Sequence, residues 1–263
     1  MKHFRPRLSR RAFWVLCALL VCLRLALTGF QQAYIWVGGA PLDDELMFRA
    51  ANHITAGQWL GAYDYLTLSK AMFFPVWLAL LHALHLPYLI SGAALWCGAA
   101  LLAAFAFSTL WRKKDPAQGR VLTLGLFAAL AFLPSSWAAY TLRVYRDNIF
   151  PALCLYFFAG MAGMALRAVF TPEKPLWPWL AAAGAGLACG YLDREDAGLF
   201  LLPFAAAATV IVAVVLAGKR RWKALAAQVI PYVMLGVGVL TFCTLNYTHY
   251  GVFALSDFSE GSF

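Results

Sequence analysis

Residues 72–86, MFFPVWLALLHALHL, decide how this chain is threaded. The run is apolar but stops after 15 residues, at Pro87. A helix needs about 20 apolar residues to cross the roughly 30 Å hydrocarbon core of a bilayer. The run therefore reads as an interfacial or re-entrant helix. Longer apolar runs surround it, at about 12–36, 90–111, 121–141, 149–168, 177–192, 197–217 and 224–245. Each reads as a transmembrane helix; the span at 177–192 is short and rich in Ala and Gly. Pro134 and Pro203 are expected to kink their helices, which neighbouring helices can tolerate.

Whether 72–86 crosses sets the side of every later loop, and basic residues choose between the two threadings. If the run stays on one face, the cytoplasmic side holds five Lys or Arg before the first span, four in 112–120, two in 167–175 and four in 219–223. That makes fifteen, against five on the other side (Arg49, Lys70, Arg143, Arg146, Arg194), with Arg24 inside the first span. If the run crosses, the count becomes eight inside and twelve outside. The first threading satisfies the positive-inside rule. It also puts ten of the twelve acidic residues on the non-cytoplasmic face.

Composition supports the same class. The chain is 63% hydrophobic and 13% charged, with a mean hydropathy of +0.70. Soluble domains average about 45–50% apolar and about 25% charged residues. The expectation is an integral membrane protein: one all-α, polytopic helical bundle over 1–263, with seven spans. It has a basic cytoplasmic tail at 1–11, a large extracytoplasmic loop at 41–88 and a polar extracytoplasmic tail at 246–263. The net charge of +9 does not argue for nucleic acid, because the basic residues sit in short clusters beside spans. There they set topology and meet anionic membrane lipids. The six cysteines lie in apolar runs without a CxxC pair and read as small buried hydrophobes. The N-terminus lacks a small-x-small cleavage site after its basic stretch, so a retained signal anchor is expected, in the inner membrane of a bacterium. Within the first loop, Asp43 to Leu60 places Leu46, Phe48, Ala50, Ala51, Ile54 and Trp59 among polar residues, the pattern of an interfacial amphipathic helix.

Three short charged motifs fall on the non-cytoplasmic face. The first, Asp43-Asp44-Glu45, follows the first span. Its carboxylates suit a helix N-terminus, and equally a catalytic base or a metal ligand. The second is Arg143-Val144-Tyr145-Arg146-Asp147, whose arginines suit phosphate and whose aspartate adds a carboxylate. The third is Asp193-Arg194-Glu195-Asp196, more charge than a tight turn between spans needs. Converging in one cavity, these groups could accept a proton, hold Mg²⁺ or Mn²⁺, and clamp a phosphate. Tyr145 and the nearby Trp and Tyr residues read as an interfacial belt. Arg24 could contact a phosphate or snorkel to the interface. Asn246-Tyr247-Thr248 matches a glycosylation pattern that is frequent by chance.

The order of these motifs resembles the GT-C class of membrane glycosyltransferases, such as protein O-mannosyltransferases and the aminoarabinose transferases of lipid A. The matching text is Asp43-Asp44-Glu45-Leu-Met-Phe-Arg-Ala-Ala, then Gly57, then Lys70 to Leu81 with Pro75. Arg146-Asp147 resembles the second acidic motif of the class, and Arg194-Glu195-Asp196 followed by an apolar helix resembles its Arg-Glu turn. The resemblance covers nearly the whole chain. It implies transfer of a sugar from a polyprenyl-phosphate carrier to a lipid, glycan or protein acceptor outside the cytoplasm. Asp43 or Asp44 would be the base or, with Asp147, a metal ligand, and Asp44-Glu45 matches the acidic pair of the class best. Glu45, Lys70, Arg143, Arg146, Arg194 and Glu195 would bind substrate, Arg146 or Arg194 holding the carrier phosphate. Members of the class usually continue into further helices or a soluble domain, so a fragment, a minimal member or a subunit is implied here. Two other classes stay open: a transporter or lipid flippase, which predicts ionisable groups within several spans, and a non-catalytic assembly protein, which predicts that the three motifs lie apart.

Overall fold

The computed structural model describes residues 7–36, 38, 41–111, 115–171 and 173–257. Among these, nine helices of eight or more residues carry the chain: α1 (Arg10–Thr28), α2 (Pro41–Thr55), α3 (Phe73–Ala83), α4 (Tyr88–Phe107), α5 (Pro116–Ala131), α6 (Phe150–Phe170), α7 (Trp177–Asp193), α8 (Gly198–Gly218) and α9 (Ile230–Tyr250). The described residues are 76% helical. Extended pairing among them is limited to an isolated bridge between Tyr34 and Arg143. The architecture is all-α, as composition and periodicity require.

Five segments are long and apolar enough to cross a bilayer: Arg10–Thr28, Tyr88–Leu110, Phe150–Phe170, Glu195–Gly218 and Trp222–Tyr250. Two further helices are shorter, α5 with 16 residues and α7 with 17. The decisive run forms an 11-residue helix, α3. At about 1.5 Å per residue it is roughly 16 Å long, about half the hydrocarbon thickness.

Several element ends differ from the expected ones. The first span stops at Thr28 rather than 36, and the chain beyond it turns extended to pair with Val144 through Tyr34. Pro134 ends a helix instead of kinking it. Leu133 takes an extended conformation (ψ 127°), as the residue before a proline prefers, and a 3₁₀ turn at Pro134–Trp137 follows. Pro203 stays inside the continuous α8. The last span is split into a short helix at Trp222–Ala227 and α9, and α9 runs on to Tyr250, past the expected start of the tail at 246. The Asn246 side chain is buried, accepting from Trp59 Nε1 and donating to the Ala254 carbonyl, so the tail folds back on the first loop.

Small residues let the central helices touch. A Cβ on Gly160 of α6 would stand 2.5 Å from the Ala183 nitrogen of α7, and one on Gly186 would stand 2.4 Å from the Phe157 nitrogen. The two backbones therefore pack directly, the usual device where lipid supplies no hydrophobic drive between helices. Phe157, Met161, Leu180, Leu187 and Leu201 fill the core around this contact. A second core, with Met47, Leu68, Phe74 and Ile149, seats α2 and α3 on the bundle. At one end of the bundle Lys219 donates to the Ala168 and Val169 carbonyls. At the other end, the starts of α4 and α6 and the end of α7 meet under α2 and α3. All three charged motifs lie there.

Candidate functional site

Helix α2 presents Leu46, Met47, Ala50 and Ala51 to the core, and Asp43 and Asp44 begin that same face. Glu45 falls on the outer face and is exposed. Asp44 therefore enters the protein, and its side chain has 0% exposure. Both of its oxygens are answered. Arg143 Nε donates to Oδ1 at 2.9 Å and Oδ2 at 3.1 Å, Arg143 Nη2 also donates to Oδ1, and the Trp36 backbone N–H donates to Oδ2 at 2.7 Å. The hydrogen bonds to Asp44 push the Arg143 guanidinium above its ordinary range, against the desolvation that opposes its charge.

Arg143 is fixed from its own backbone as well. The extended segment after α1 pairs with it: Tyr34 donates to the Leu142 carbonyl and Val144 donates to the Tyr34 carbonyl. The hydroxyl of Tyr88, at the start of α4, donates to the Arg143 carbonyl at 2.7 Å.

Asp43 behaves differently. Its side chain is 35% exposed, with Lys70 Nζ 3.1 Å from Oδ2. The Tyr145 hydroxyl donates to the same oxygen at 3.3 Å. That hydroxyl accepts in turn from Arg146 Nη2 at 2.9 Å. The Tyr145 ring lies between two cations, with the guanidinium carbon of Arg143 4.3 Å and that of Arg146 5.1 Å from its centroid. Burial raises the Tyr145 hydroxyl above its ordinary value, so it stays protonated and can donate.

Arg146 ties the second motif to the third. Nη1 donates to both Glu195 oxygens, at 3.1 and 2.9 Å, and to the Asp193 carbonyl at 3.0 Å. Glu195 also accepts from the Ala71 backbone N–H at 2.5 Å, just before α3. Arg194 reaches Asp147 at 3.3 Å and holds Asp196 with two bonds, at 3.0 and 3.1 Å. The Asp193 side chain has 0% exposure, and neither oxygen has a hydrogen-bond partner among the described residues. Burial pushes its carboxyl well above the usual range, outweighing the nearby Arg146 and Arg194.

The three motifs thus form one connected network. It runs from Asp44 through Arg143 to Tyr145, then to Asp43 and Lys70 on one side and to Arg146 and Glu195 on the other. The chain matches no family model, no curated protein and no solved structure.

What the network offers chemically is narrower than the full residue set. Among the described residues, no group of three or more His, Cys, Asp or Glu is placed to hold a metal ion. Asp44 is committed to Arg143 and Trp36, and Asp147 faces Arg194, so the residues do not fit the Mg²⁺ or Mn²⁺ site expected of that pair. Within the network Asp43, Lys70, Asp147 and Arg194 are partly exposed and Asp196 is exposed, while the exposed Glu45 lies outside it. Two contributors were missed. Tyr145 reads as a belt aromatic until its hydroxyl is seen between Asp43 and Arg146. Asp193 carries no local signal that separates it from the acids beside it in a charged turn.

Proposed function

We propose that this chain is a GT-C-type membrane glycosyltransferase that takes a sugar from a polyprenyl-phosphate carrier. In this reading α5 and α7 complete seven spans, α2 and α3 lie at the non-cytoplasmic surface, and the N-terminus is cytoplasmic. The observation that carries the reading is a partly exposed first-loop carboxylate, Asp43, set between a lysine and a tyrosine in the network that joins all three motifs.

Asp43 is the base in this scheme and Asp44 a positioning residue that seats Arg143. The acceptor hydroxyl gives its proton to the Asp43 carboxylate as its oxygen attacks the anomeric carbon. The bond from that carbon to the carrier phosphate breaks with inversion, and the lipid phosphate leaves with the electron pair. Arg194 and Lys70, both partly exposed, meet the phosphate charge. Arg146, held by Glu195 and Tyr145, keeps the third motif against the second.

The test is transfer from a panel of labelled polyprenyl-phosphate hexoses by wild-type protein and by Asp43→Asn, with melting monitored alongside. Loss of a general base lowers rates by about 10²–10⁴-fold. An Asp43→Asn variant that retains full transfer would sink the assignment of the base. A wild-type chain that uses no donor on the panel would sink the function.

A further inference from the structure

Asp193 closes α7, fully buried, with neither carboxyl oxygen hydrogen-bonded among the described residues. Arg146 reaches the same residue at its backbone, where Nη1 donates to the Asp193 carbonyl at 3.0 Å. The rest of that guanidinium is divided. Nη1 also meets both Glu195 oxygens, at 3.1 and 2.9 Å, and Nη2 donates to the Tyr145 hydroxyl. Nε is buried with no partner among the described residues. One cation therefore stands between two carboxyl groups, bonded to the first and touching only the backbone of the second. The cation keeps an unmet donor, and the residue it touches keeps two unmet acceptors. A proton, unlike a ligand, reaches a buried carboxyl without an open cleft.

The two carboxyl groups differ in what they can do without Arg146. The Glu195 side chain is 17% exposed and accepts from the Ala71 N–H, so water and that N–H can hold its charge. Asp193 has neither, so its carboxylate needs a cation. While Asp193 keeps its proton, Arg146 stays with Glu195 and the three groups are neutral as a set. Once that proton leaves for solvent, the set carries one negative charge in excess. The dry carboxylate then attracts Arg146 more strongly than the one that water can reach. The other groups within electrostatic reach of Asp193 are Arg194, Asp147, Tyr88 of α4, Cys154 of α6 and Cys189 of α7. Arg194 is held by Asp147 and Asp196, and the Tyr88 hydroxyl donates to the Arg143 carbonyl.

We infer that Asp193 and Glu195 share Arg146 in a proton-operated switch: with the Asp193 proton in place Arg146 clasps Glu195, and when it leaves Arg146 turns to the Asp193 carboxylate. The movement reaches Asp43 from two sides. Arg146 Nη2 holds the Tyr145 hydroxyl that donates to Asp43, and Ala71, whose N–H binds Glu195, follows the Lys70 that pairs with Asp43. The inference does not rest on sugar transfer, because its readouts are a proton and a backbone hydrogen bond.

The experiment follows the C=O stretch of un-ionised carboxyl groups by infrared difference spectroscopy on the detergent-solubilised full chain, titrated with pH. The band missing from Asp193→Asn belongs to Asp193. Wild type should hold this band at neutral pH and lose it on alkaline titration; its absence at neutral pH overturns the switch. In Glu195→Gln, Arg146 is free for Asp193, and the midpoint of the band should fall by about two pH units. Asp147→Asn is the control. Asp147 repels an ionised Asp193 at least as strongly as Glu195 does, but it pairs with Arg194 rather than Arg146. Loss of a nearby charge alone would therefore lower the midpoint at least as much in Asp147→Asn. A larger fall in Glu195→Gln supports the sharing of Arg146, and an equal or smaller one overturns it. If a variant does not fold, hydrogen exchange of the Ala71 amide in wild type decides. Corrected for its intrinsic pH dependence, exchange should rise about tenfold over the range in which the band is lost, as Glu195 leaves Arg146 for water. Unchanged exchange overturns the switch.

Discussion

Arg143 and Arg24 are both buried arginines near the same end of the bundle, yet their charges are met in opposite ways. Arg143 has a fully buried carboxylate, Asp44, with both oxygens occupied. Arg24 has a hydroxyl, a carbonyl and an indole face, and one nitrogen left over. The first charge is neutralised by a carboxylate inside the protein, and the second is met by neutral groups alone among the described residues. The same sorting runs through the first motif. Neighbouring aspartates on one helix face divide into Asp44, closed and committed, and Asp43, open and held by two weaker contacts.

The sharpest way to break this comparison is to remove the acid from the closed pair. Asp44→Ala leaves Arg143 buried without a counterion, a change that costs about 3–5 kcal/mol. Thermal and SDS unfolding should register it as the most damaging single substitution in the network. The double variant Asp44→Leu with Arg143→Met should recover most of the loss, because no charge is then stranded. Arg24→Gln should cost less, about 1–3 kcal/mol, since it strands a carbonyl and a hydroxyl but no ion. Equal losses at the two sites would show that the two arginines fasten the fold alike.

Asp193 sharpens the comparison from the acidic side, as a buried carboxylate with no hydrogen-bond partner among the described residues. Its folded-state pKa is raised, by burial first, with Arg146 and Arg194 lowering it and Asp147 and Glu195 raising it. The folded chain therefore keeps a proton that the unfolded chain releases above about pH 4. Between the unfolded and folded pKa values, stability should fall as pH rises, by up to about 1.4 kcal/mol per pH unit. Below the unfolded value this contribution is fully present. Asp193→Asn cannot ionise, so its unfolding free energy should lose that part of the slope. A variant whose slope matches wild type would mean that Asp193 titrates normally in the folded protein.

The sequence made the composition of this network legible but not its pairings. Membership followed from counting charges across spans, since loop sidedness is a sum over the chain and tolerates errors in span ends. The pairing of Asp44 with Arg143 crosses 99 positions. It depends on an extended segment, Gln31–Trp36, that the apolar pattern absorbed into the first span. Periodicity does separate Glu45, on the outer face of α2, from Asp43 and Asp44. It cannot rank those two, because both precede the buried positions Leu46, Met47, Ala50 and Ala51. The Ala71 N–H that caps Glu195 is a backbone donor, invisible to any motif. Pro134 was legible as a disturbance. Whether a proline kinks or ends a helix depends on what its freed neighbours bond to, and here Ser136 gives its carbonyl to Arg24.

The smallest expected effect probes the joint between closed and open halves. Tyr145→Phe keeps the ring between Arg143 and Arg146 and removes only the hydroxyl that links Arg146 to Asp43. The cation–ring contacts survive, so the stability loss should be about 1 kcal/mol, the worth of one ordinary hydrogen bond. Asp43 would keep Lys70 as a partner but lose the donor that orients its outer oxygen. Transfer should fall about tenfold, equivalent to about 1.4 kcal/mol in the barrier. That loss should appear in kcat more than in KM, since Tyr145 is buried beneath the groups that meet the phosphate. A larger fall in stability than in transfer would assign the hydroxyl to the scaffold and move the boundary between the closed and open halves out to Asp43 itself.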